Sequence, residues 1–594
     1  MKRLYYAKSK VKNENIIFCT FDTETNGLGG DLLCCTYSHP AGNGSFIGPQ
    51  STIQWLSDIL FSLPYPCIHY AHFAQYDWRY ILPWLIDHQA EFDSLELGMR
   101  TDKDIYQIVI KKNKKKYIMR DSYAVYPAPL KDFAEQFSPD LAKLVFDFES
   151  VKFDPANPEH MKYAERDAQA LRQCMINYNR SVEKLFGVSI GHTAAGTAIK
   201  GWQQSLSDEI IVNFSTDNEN EKYIRGAYYG GIVFLTSNEQ HQNCKTYDIN
   251  SSYPYVMQTY PMPVGSPISV DNYVAGQLGI YEVEIETPQN LVIPILPCRN
   301  ARGMMEWRQG RFITQITNFE LEFALEHGYY LHAVHSGLVW KNTLNPFFDF
   351  IETCKKIRAE YKDTAYERVA KLMQNSCYGK YGSKRQRTKI AIGRENILPE
   401  ADAQLISENL DHVYAYQEYA VDMACKPEWA VFIAAYARLR LIATAYAIGV
   451  EHVLYGDTDS ITLKESATTS HIDIGSQYGQ FKLEKEWTCF RAISPKTYAG
   501  QLASGKWTGA GKGLSSKKME AREYRQLYEQ GYTHVEYDTL PSLTVALKKG
   551  IAPATKQTRV SSKIENSVNF YLQNGRVQLK SKHVQDHQIP AKAA

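Results

Sequence analysis

The stretch YGDTDS, residues 455–460, lies within a β-hairpin pattern that runs from His452 to Leu463. Side chains alternate along a strand, so a tight hairpin places Asp457 and Asp459 on the same side. Two neighbouring carboxylates repel each other and persist comfortably only when a cation lies between them. The stretch therefore predicts a hairpin that binds a divalent metal.

An acid near a strand end and one face of a helix add side chains that suit phosphoryl transfer. Asp248 lies near the end of a strand-like run and precedes a Ser-Ser-Tyr-Pro turn. Lys371, Asn375 and Tyr378 are spaced by four and three residues, so they share a face of a predicted helix. A cation, an amide and an aromatic ring can hold a triphosphate, a sugar and a base. The alternative, a surface helix with salt bridges, does not explain the asparagine and the tyrosine.

A separate carboxylate group lies in the first third of the chain. Asp22 and Glu24 are two residues apart in a β-rich run, so they share a face of a strand. Asp77 opens a helical pattern, and Tyr163 and Asp167 share a helix face at a spacing of four. Four carboxylates and a tyrosine can hold two divalent ions about 3.5–4 Å apart, which suits phosphodiester hydrolysis.

Composition is that of an ordinary globular protein. The 594 residues include 66 Lys and Arg against 65 Asp and Glu, which excludes a wholesale polycationic binder. The 11 Cys form no CxxC pair, so the sequence predicts a reducing compartment and neither a disulfide framework nor a zinc site. The segment from Pro541 onward has nine basic and two acidic residues, which favours a phosphate-bearing partner over a solvated face.

No exported or membrane-spanning segment is expected. The N-terminus carries charges but no apolar run behind them. The most apolar stretch, Trp429–Val450, has Arg438 and Arg440 in its middle, and it is predicted to form a buried helix.

Strand and helix signals alternate in the first third of the chain and indicate an α/β domain that ends near residue 190. Its strands are expected at 16–21, 67–71, 105–110 and 117–120, and its helices at 76–85 and 160–185. The turn between the last two strands carries five lysines, for which a solvated tip and a phosphate contact are equally good interpretations. Two helical patterns, Phe347–Tyr361 and Thr364–Tyr381, predict a helical hairpin.

The order of these motifs, DxE, YD, YxxxD, DxxSxYP, KxxxNSxYG and YxDTDS, resembles that of the family B DNA polymerases. AYYGG at 227–231 and KTY at 496–498 are similar to the YxGG and KxY motifs of the protein-primed branch, the replicases of certain bacteriophages, adenoviruses and linear plasmids. DSY at 121–123 and Lys143 resemble secondary exonuclease motifs. The resemblance extends from about residue 18 to 520.

The resemblance implies an α/β multidomain protein, with an RNase H-like 3′–5′ exonuclease domain followed by a right-hand polymerase. Asp248 and Lys371 are 123 residues apart, and Lys371 and Asp457 are 86 apart, so each interval has room for an insertion beside a fingers hairpin of about 40 residues. The expected divisions are exonuclease 1–190, palm 191–260, terminal-protein insertion 261–344, fingers 345–382, template-ring insertion 383–425, palm 426–535 and thumb 536–594.

The resemblance also implies roles for individual residues. In the polymerase site, Asp248 and Asp459 bind two Mg²⁺ ions beside Asp457, and Tyr253 excludes a 2′-hydroxyl. The other nucleotide contacts are Lys371, Arg358, Asn375 and Tyr378, and the primer or DNA contacts are Tyr228, Gly230, Gly231, Lys496, Tyr498, Phe73 and Ser122. In the exonuclease site, the metal ligands are Asp22, Glu24, Asp77 and Asp167, Tyr163 orients the attacking water, and Lys143 stabilises developing charge.

The sequence departs from the family pattern at Phe73, where the second exonuclease motif usually carries Asn. The expectation is that His72 compensates or that Phe73 stacks on a base, and the alternative is that Phe73 packs in the core. The metal carboxylates are intact, so exonuclease activity is expected.

The resulting prediction is a DNA-directed DNA polymerase with proofreading that replicates a linear viral or plasmid genome by protein-primed, strand-displacing synthesis. Its expected partners are template-primer DNA, dNTPs and a terminal protein, with two Mg²⁺ ions per site and Mn²⁺ as a substitute. The chain is expected to be a monomer in the host cytoplasm without a membrane partner. The alternatives are a primer-dependent family B repair or replication polymerase and a non-catalytic DNA-binding scaffold; a reverse transcriptase is disfavoured by DTD at residues 457–459.

Overall fold

The structure is a computed structural model, and most of the chain from residue 16 onward is described. The described residues are 16–64, 66–101, 104–141, 144, 151–206, 218–289, 291–384, 386–393, 403–405, 413–419, 425–512, 519–533, 535–549, 557–561, 570–573 and 576–579.

The N-terminal part is a sheet with helices packed on its faces. Its elements are β1 (Phe18–Thr25), β2 (Leu32–His39), β3 (Gly42–Ile47), α1 (Ser51–Trp55), β4 (Ile68–Ala71), α2 (Leu82–Asp87), β5 (Ser94–Thr101), β6 (Asp104–Lys112), β7 (Lys115–Asp121), α3 (Ser122–Val125), α4 (Leu130–Phe137), α5 (Pro158–Phe186) and α6 (Ala194–Ser205). A π-helical turn at Leu56–Leu60 continues α1, and 3-10 turns occur at Asp77–Tyr80, Gln89–Glu91 and Pro139–Leu141.

The strands expected in this part are confirmed, whereas the helix expected at 76–85 is wrong in its extent. The structure has a 3-10 turn, Asp77–Tyr80, and then α2, whose first turn contains Pro83. Proline lacks an N–H and clashes with a preceding helical turn, so one continuous helix cannot pass through this position. Asn113 and Lys114 form the lysine-rich turn with φ of 53° and 64°, as a two-residue hairpin requires.

The long helix α5 lies against β1 and β2 and fixes the middle of the sheet. Asn157 caps its first turn by accepting a hydrogen bond from the Glu159 N–H, and Gly187 ends it at φ 69°. Thr20 Oγ1 donates to the Ala168 carbonyl at 2.6 Å. This contact fixes the helix on the strand that carries DxE.

The middle of the chain forms a second sheet system and the helical hairpin. Its elements are α7 (Asn218–Gly226), β8 (Val233–Leu235), β9 (His241–Ile249), α8 (Ser252–Thr259), β10 (Met262–Val264), β11 (Ile268–Val270), β12 (Leu278–Glu286), β13 (Cys298–Arg299), β14 (Met305–Glu306), β15 (Arg311–Thr317), α9 (Asn318–Glu326), β16 (Tyr330–Trp340), β17 (Asn342–Leu344), α10 (Phe348–Glu360) and α11 (Ala365–Tyr381). The predicted helical hairpin is confirmed as α10 and α11.

The remaining elements complete both sheets and the C-terminal part. They are β18 (Gln386–Ile392), β19 (Ala403–Leu405), β20 (Val413–Tyr419), α12 (Pro427–Ile448), β21 (Val453–Asp457), β22 (Ser460–Leu463), β23 (Phe481–Ser494), β24 (Thr497–Leu502), β25 (Trp507–Ala510), α13 (Ala521–Gln530), β26 (Val535–Thr539), α14 (Leu543–Lys549), β27 (Gln557–Ser561), β28 (Phe570–Gln573) and β29 (Arg576–Leu579). A 3-10 turn at Val450–His452 joins α12 to β21.

Two large sheets organise the molecule. The strand order is β19-β20-β18-β5-β6-β7-β4-β1-β2-β3 in the first and β25-β24-β23-β9-β22-β21-β8 in the second. β9 is therefore an interior strand of the second sheet. Segment 261–344 supplies a four-stranded sheet of its own, in the order β11-β16-β12-β15.

Strands β18, β19 and β20 extend the N-terminal sheet, an arrangement that the sequence does not predict. β18 pairs with β5 in an antiparallel register that places Ile390 opposite Leu97. Ile390, Ile392 and Val413 are buried in the core that holds Leu97 and Trp55. Strands β5, β18 and β20, which are distant in sequence, thus share one hydrophobic core that holds the extended sheet together.

Helix α12 is long and apolar enough to cross a membrane by length and composition, but 67% of its most apolar window is buried inside the protein. Arg438, in its middle, is buried and forms a hydrogen-bonded ion pair with Glu320. The expected buried helix is confirmed.

Candidate active sites

Three carboxylates converge on the second sheet. The register pairs Asp248 on β9 with Ser460 on β22, and Ser460 with Asp457 on β21. Asp459 lies in the turn, where its carbonyl accepts a hydrogen bond of 2.8 Å from the Ile249 N–H. The sheet thus brings together acids that are more than 200 residues apart.

Burial makes this acidic group costly in the absence of a cation. Burial and the charges of Asp248 and Asp457 raise the pKa of Asp459 to about 6. Burial also raises the pKa of Asp248, although Lys482 Nζ lies 3.4 Å from its Oδ1. The positive charges nearby do not cancel the repulsion, so the donor set suits a divalent ion.

Lys496 is the cation that directly contacts Asp457. Its Nζ lies 2.8 Å from Oδ1 and 3.1 Å from Oδ2 of Asp457, and its N–H donates to Tyr455 Oη at 2.9 Å. Tyr498, two residues later, packs its ring against Tyr455 with centroids 5.3 Å apart. The KTY stretch therefore lies directly beside the YGDTDS hairpin.

Helix α11 presents the three side chains that were expected on one face. Lys371 and Asn375 are exposed, and Tyr378 is half-buried. The Tyr378 ring stacks on Tyr253 with centroids 4.5 Å apart and an interplanar angle of 25°. Tyr253 lies in the first turn of α8, which follows the strand that carries Asp248. The two tyrosines join the helical hairpin to the carboxylate sheet.

Arg358 lies on α10, but it is engaged by protein groups. Its Nη1 donates to Tyr478 Oη at 2.8 Å and to Ser251 Oγ at 3.2 Å. Tyr478 Oη in turn donates to Gln374 Oε1 at 2.6 Å. Gln374 and Tyr478 are not predicted from the sequence, because neither is a defined position of a motif. The only signal for this region is the neighbouring motif KxxxNSxYG.

The YxGG segment contacts both the hairpin and helix α11. Tyr228 Oη lies 3.2 Å from Tyr378 Oη. A Cβ at Gly231 would come within 2.9 Å of Thr458 Cγ2, so the close approach to the YGDTDS turn requires glycine. Gly230 has open space around its Cα, and its carbonyl accepts a hydrogen bond of 2.8 Å from Arg438 Nη1.

The N-terminal carboxylates gather around β1. Asp22 and Glu24 are half-buried on the same face of the strand, and Thr23 between them donates from its N–H and Oγ1 to Asp77 Oδ1 at 3.0 and 2.7 Å. Burial and the charge of Asp22 raise the pKa of Asp77 well above its usual range. Asp167 is buried on α5, the helix that packs on this strand.

Tyr163 and Asp167 are both buried one helical turn apart on α5. Tyr163 packs with Cys34 and Ala164. Burial raises the pKa of the Cys34 thiol, and the charges of Glu24 and Asp22 raise it further. The structure thus places Tyr163 and Asp167 on the helix that packs against the strand carrying Asp22 and Glu24. Lys143 lies outside the described residues.

Phe73 is exposed rather than packed in the core. Half of its surface is accessible, and its ring stacks on Tyr123 with centroids 3.9 Å apart. His72 bridges Ser122 Oγ and the Ala128 carbonyl, each at 2.9 Å. The core-packing alternative for Phe73 is wrong, because half of the side chain is exposed, at a position where the backbone takes φ 56°.

Comparison with known protein families decides the identity of the chain. The model of "DNA polymerase type B, organellar and viral" matches residues 66–157 and 155–424, more than half of the chain. The chain belongs to the type B DNA polymerases. This family uses divalent metal ions, which fits the carboxylate-rich donor sets at both sites.

Relatives of this polymerase occur in fungi and bacteriophages. A probable DNA polymerase from Neurospora intermedia is 27% identical over 385 residues, which are 58% of this chain but only 38% of the fungal protein. The DNA polymerase of Bacillus phage Nf is 25% identical over 445 residues, covering 69% of this chain and 73% of the phage protein.

The fold of the polymerase matches solved structures of phi29 DNA polymerase. One, complexed with primer-template DNA, has a TM-score of 0.70 at 22% identity and covers 86% of this chain and 95% of that one. Another, with primer-template DNA and incoming nucleotide substrates, has a TM-score of 0.69 and covers 86% and 94%. The expected α/β multidomain polymerase fold is confirmed.

The buried ion pair between Arg438 and Glu320 is a feature of the polymerase that the sequence does not predict. Arg438 and Glu320, both buried, hold the YxGG backbone from behind: Arg438 Nη1 donates to the carbonyls of Tyr229 and Gly230 at 3.2 and 2.8 Å. In the sequence, Arg438 is recognisable only as a charged residue inside an apolar stretch. That charge was the available signal, because a buried arginine needs a partner.

Proposed function

We propose that this polymerase adds nucleotides at Asp248, Asp457 and Asp459 and degrades DNA 3′→5′ at Asp22, Glu24, Asp77 and Asp167. The observation that carries this proposal is the assembly of two carboxylate groups on two different sheets. One group lies beside the helical hairpin, and the other lies against α5.

We propose Mg²⁺ as the metal at both sites, with two ions in each and Mn²⁺ as a substitute. The carboxylate-rich donor sets support this choice, and burial together with neighbouring carboxylates raises the pKa of Asp459 and of Asp77. Bound ions would neutralise phosphate charge and activate the attacking oxygen. Asp248 and Asp459 would hold them in the polymerase site, with Asp457 beside them.

The protein groups around the polymerase carboxylates position the substrates. Lys371 and Asn375 are exposed on the face of α11 that continues to Tyr378, so they can reach a triphosphate and a base. We propose that Tyr253 contacts the sugar and rejects a 2′-hydroxyl, which is supported by the stacking of its ring on Tyr378 beside the carboxylates. Arg358 is a positioning residue: it donates hydrogen bonds to Ser251 and Tyr478 and acts through them.

The proposed primer contacts lie next to the YGDTDS hairpin. Lys496 and Tyr498 line the hairpin, and Tyr228, Gly230 and Gly231 lie between it and α11. In the exonuclease site, Tyr163 orients water, Lys143 stabilises charge, and the exposed ring of Phe73 contacts the single strand. Ser122 is buried, with its Oγ donating to the Ala71 carbonyl at 3.0 Å and lying 2.9 Å from His72 Nδ1, so it supports His72 instead of touching DNA.

Mutation of each carboxylate group tests the assignment. Asp22→Ala combined with Asp77→Ala should abolish 3′→5′ degradation and leave primer extension, and Asp459→Ala should do the reverse. Both variants are assayed on the same labelled primer-template with Mg²⁺ and compared by circular dichroism. Loss of both activities in a folded variant would contradict two separate sites.

We further propose that synthesis starts on a terminal protein that docks on residues 261–344. The support is the YxGG and KxY segments beside the hairpin and the separate four-stranded sheet that 261–344 forms. The test is transfer of labelled dNMP to a candidate terminal protein encoded beside this gene. If no neighbouring protein accepts a nucleotide while a primed circle is extended, a primer-dependent type B polymerase is the correct assignment.

We propose that residues 383–425 and the thumb, 536–594, enclose the template and allow strand displacement. Leu543, on α14 of the thumb, is buried in the same core as Ile392 and Val413, which supports closure between these segments. Because β18 and β20 belong to the N-terminal sheet, deletion of the whole segment would damage that sheet. Replacing 394–412 with a short Gly-Ser linker keeps both strands, and extension past an annealed blocking strand should then stall.

Template-primer DNA and dNTPs are the proposed substrates, and a monomer in the host cytoplasm is the proposed working state. Sedimentation of the purified chain with and without primer-template DNA tests the monomer. No degradation and no extension by the wild-type chain would leave a DNA-binding scaffold as the assignment.

A further inference from the structure

A group of soft metal ligands lies apart from both carboxylate groups. The ligand atoms of Cys19, Cys67 and His69 all lie within 4.8 Å of one another. Cys67 Sγ and His69 Nε2 are 3.2 Å apart. Cys19 and His69 are buried, Cys67 is half-buried, and both thiols are free of disulfides.

The sheet register fixes this group on rigid backbone. β1 and β4 run parallel and pair Cys19 with His69, so the two side chains leave the same face of the sheet. Cys67 precedes His69 by two residues and therefore shares that face. Cys19 and His69 thus lie on neighbouring strands, and Cys67 directly precedes the second of them.

We propose that Cys19, Cys67 and His69 bind a zinc ion, with solvent in the fourth position. Two thiolates and an imidazole are a donor set that zinc takes in proteins. Bonds of about 2.3 Å to sulfur and about 2.0–2.1 Å to nitrogen place ligand atoms about 3.5 Å apart in a tetrahedron. The Cys67–His69 pair already has a spacing of 3.2 Å, and Cys19 lies within 4.8 Å of both ligand atoms.

The surroundings leave one position to solvent. His39 lies beside Cys19, because Thr20 pairs with Ser38 on β2, but its Nδ1 already accepts a hydrogen bond from the Ala41 N–H at 3.2 Å. The neutral ring then carries its proton on Nε2 and does not offer that nitrogen to a metal. Cys67 is half-buried, so water reaches the group from its side.

Packing sets the orientation of His69. Its ring meets the edge of Trp55 with centroids 5.4 Å apart and an interplanar angle of 78°. Among the described residues, no hydrogen-bond partner reaches its buried Nδ1. The ring is therefore held by contact with the indole, with Nε2 directed at Cys67.

A zinc ion here would join the two strands that lead to the N-terminal carboxylates. Asp22 and Glu24 follow Cys19 on β1, and the turn that begins with Asp77 follows β4. The ion would stabilise the sheet without contacting DNA, so its presence is measured by binding and by stability.

The first test is metal content. The full chain, expressed with added zinc and passed through a chelating buffer that strips exchangeable ions, should retain about one zinc per chain by elemental analysis. Cys67→Ser should lose it. Cys174→Ala, a buried free cysteine of α5 outside the group, should retain it, and so should the Asp22→Ala, Asp77→Ala variant.

The second test remains informative even if a cysteine variant fails to fold. Cobalt exchanged into the wild-type chain should give tetrahedral ligand-field bands and a thiolate-to-cobalt charge-transfer band. Removal of zinc by a strong chelator should lower the thermal unfolding midpoint. A wild-type chain without zinc and without those bands, equal zinc in Cys67→Ser, or a Cys19–Cys67 disulfide in unreduced peptides would each overturn the assignment.

Discussion

Lys496 Nζ contacts both carboxylate oxygens of Asp457, at 2.8 and 3.1 Å. Lys496 adopts φ 61°, an uncommon conformation for a lysine, in the turn between β23 and β24. The turn thereby directs the ammonium group at the acidic hairpin. The ion pair makes Lys496 a neighbour of the metal-binding group as well as a candidate primer contact.

Lys496→Ala should slow primer extension about fivefold or more, since a half-exposed ion pair is worth about 1 kcal/mol. Loss of the cation should also raise the pH at which extension falls, because Asp457 then repels ionised Asp459 more strongly. The measurement is the pH profile of single-nucleotide addition. Lys496→Arg keeps the charge and should restore the profile; an identical profile in Lys496→Ala would exclude this electrostatic role.

Metal ions should stabilise the protein more at about pH 7.5 than at about pH 5. The folded protein raises the pKa of Asp459 from an ordinary 3.8 to about 6. Without metal, the folded state holds this proton more tightly than the unfolded chain, so the resulting stability is present below about 3.8 and is lost as pH rises through 6. A divalent ion replaces the proton above that pH.

This pH dependence is measured as the Mg²⁺-induced shift in unfolding temperature, in a chain that carries Asp22→Ala and Asp77→Ala so that only the polymerase site responds. Adding Asp459→Asn should remove most of the difference between the two pH values. If the chain that retains Asp459 shows the same Mg²⁺-induced shift in unfolding temperature at both pH values, the prediction is contradicted.

Glu320→Gln should destabilise the fold by about 3–5 kcal/mol, because it leaves the buried Arg438 charge without its carboxylate. Arg438 and Glu320 have side-chain exposures of 0% and 2%. Glu284→Gln, which removes the partner of the half-exposed Arg311, is the matched control and should destabilise the fold far less. Urea unfolding compares the two, and equal losses would show that burial of the pair does not matter.

Tyr253→Val should reduce the preference for dNTPs over rNTPs about 10- to 100-fold, since steric rejection by a pocket is worth about 1–3 kcal/mol. Tyr253→Phe keeps the ring that stacks on Tyr378 and should retain the preference. Competition between the two nucleotides in primer extension gives the ratio. A ratio that stays at the wild-type value in Tyr253→Val would assign sugar selection to another residue.

Phe73→Ala should weaken single-stranded DNA binding at the exonuclease site by about 1–3 kcal/mol, the worth of one base stacked on an aromatic ring. The exposed Phe73 ring and Tyr123 form a two-ring platform. Phe348→Ala removes an equally exposed phenylalanine on α10 and should leave degradation of a single strand unchanged. Equal effects of both substitutions would indicate a general loss of stability rather than stacking.

The local elements and the residues of the candidate polymerase site can be predicted from the amino-acid sequence. Helices α10 and α11 and the hairpin of β21 and β22 have periodic patterns within a few tens of residues, and Asp248, Asp457 and Asp459 could be named because short motifs fix their spacing. Hydrophobic periodicity and turn residues act over such distances, so they are visible in the chain.

Contacts between residues that are distant in the sequence are apparent only in the folded protein. The pairing of β18 with β5, the Arg438–Glu320 ion pair and the group of Cys19, Cys67 and His69 all depend on strand register and helix packing between remote segments. Such contacts follow from which faces bury together, and many pairings satisfy the same local pattern. The outward turn of Phe73 likewise follows from a single backbone angle that the surrounding contacts impose.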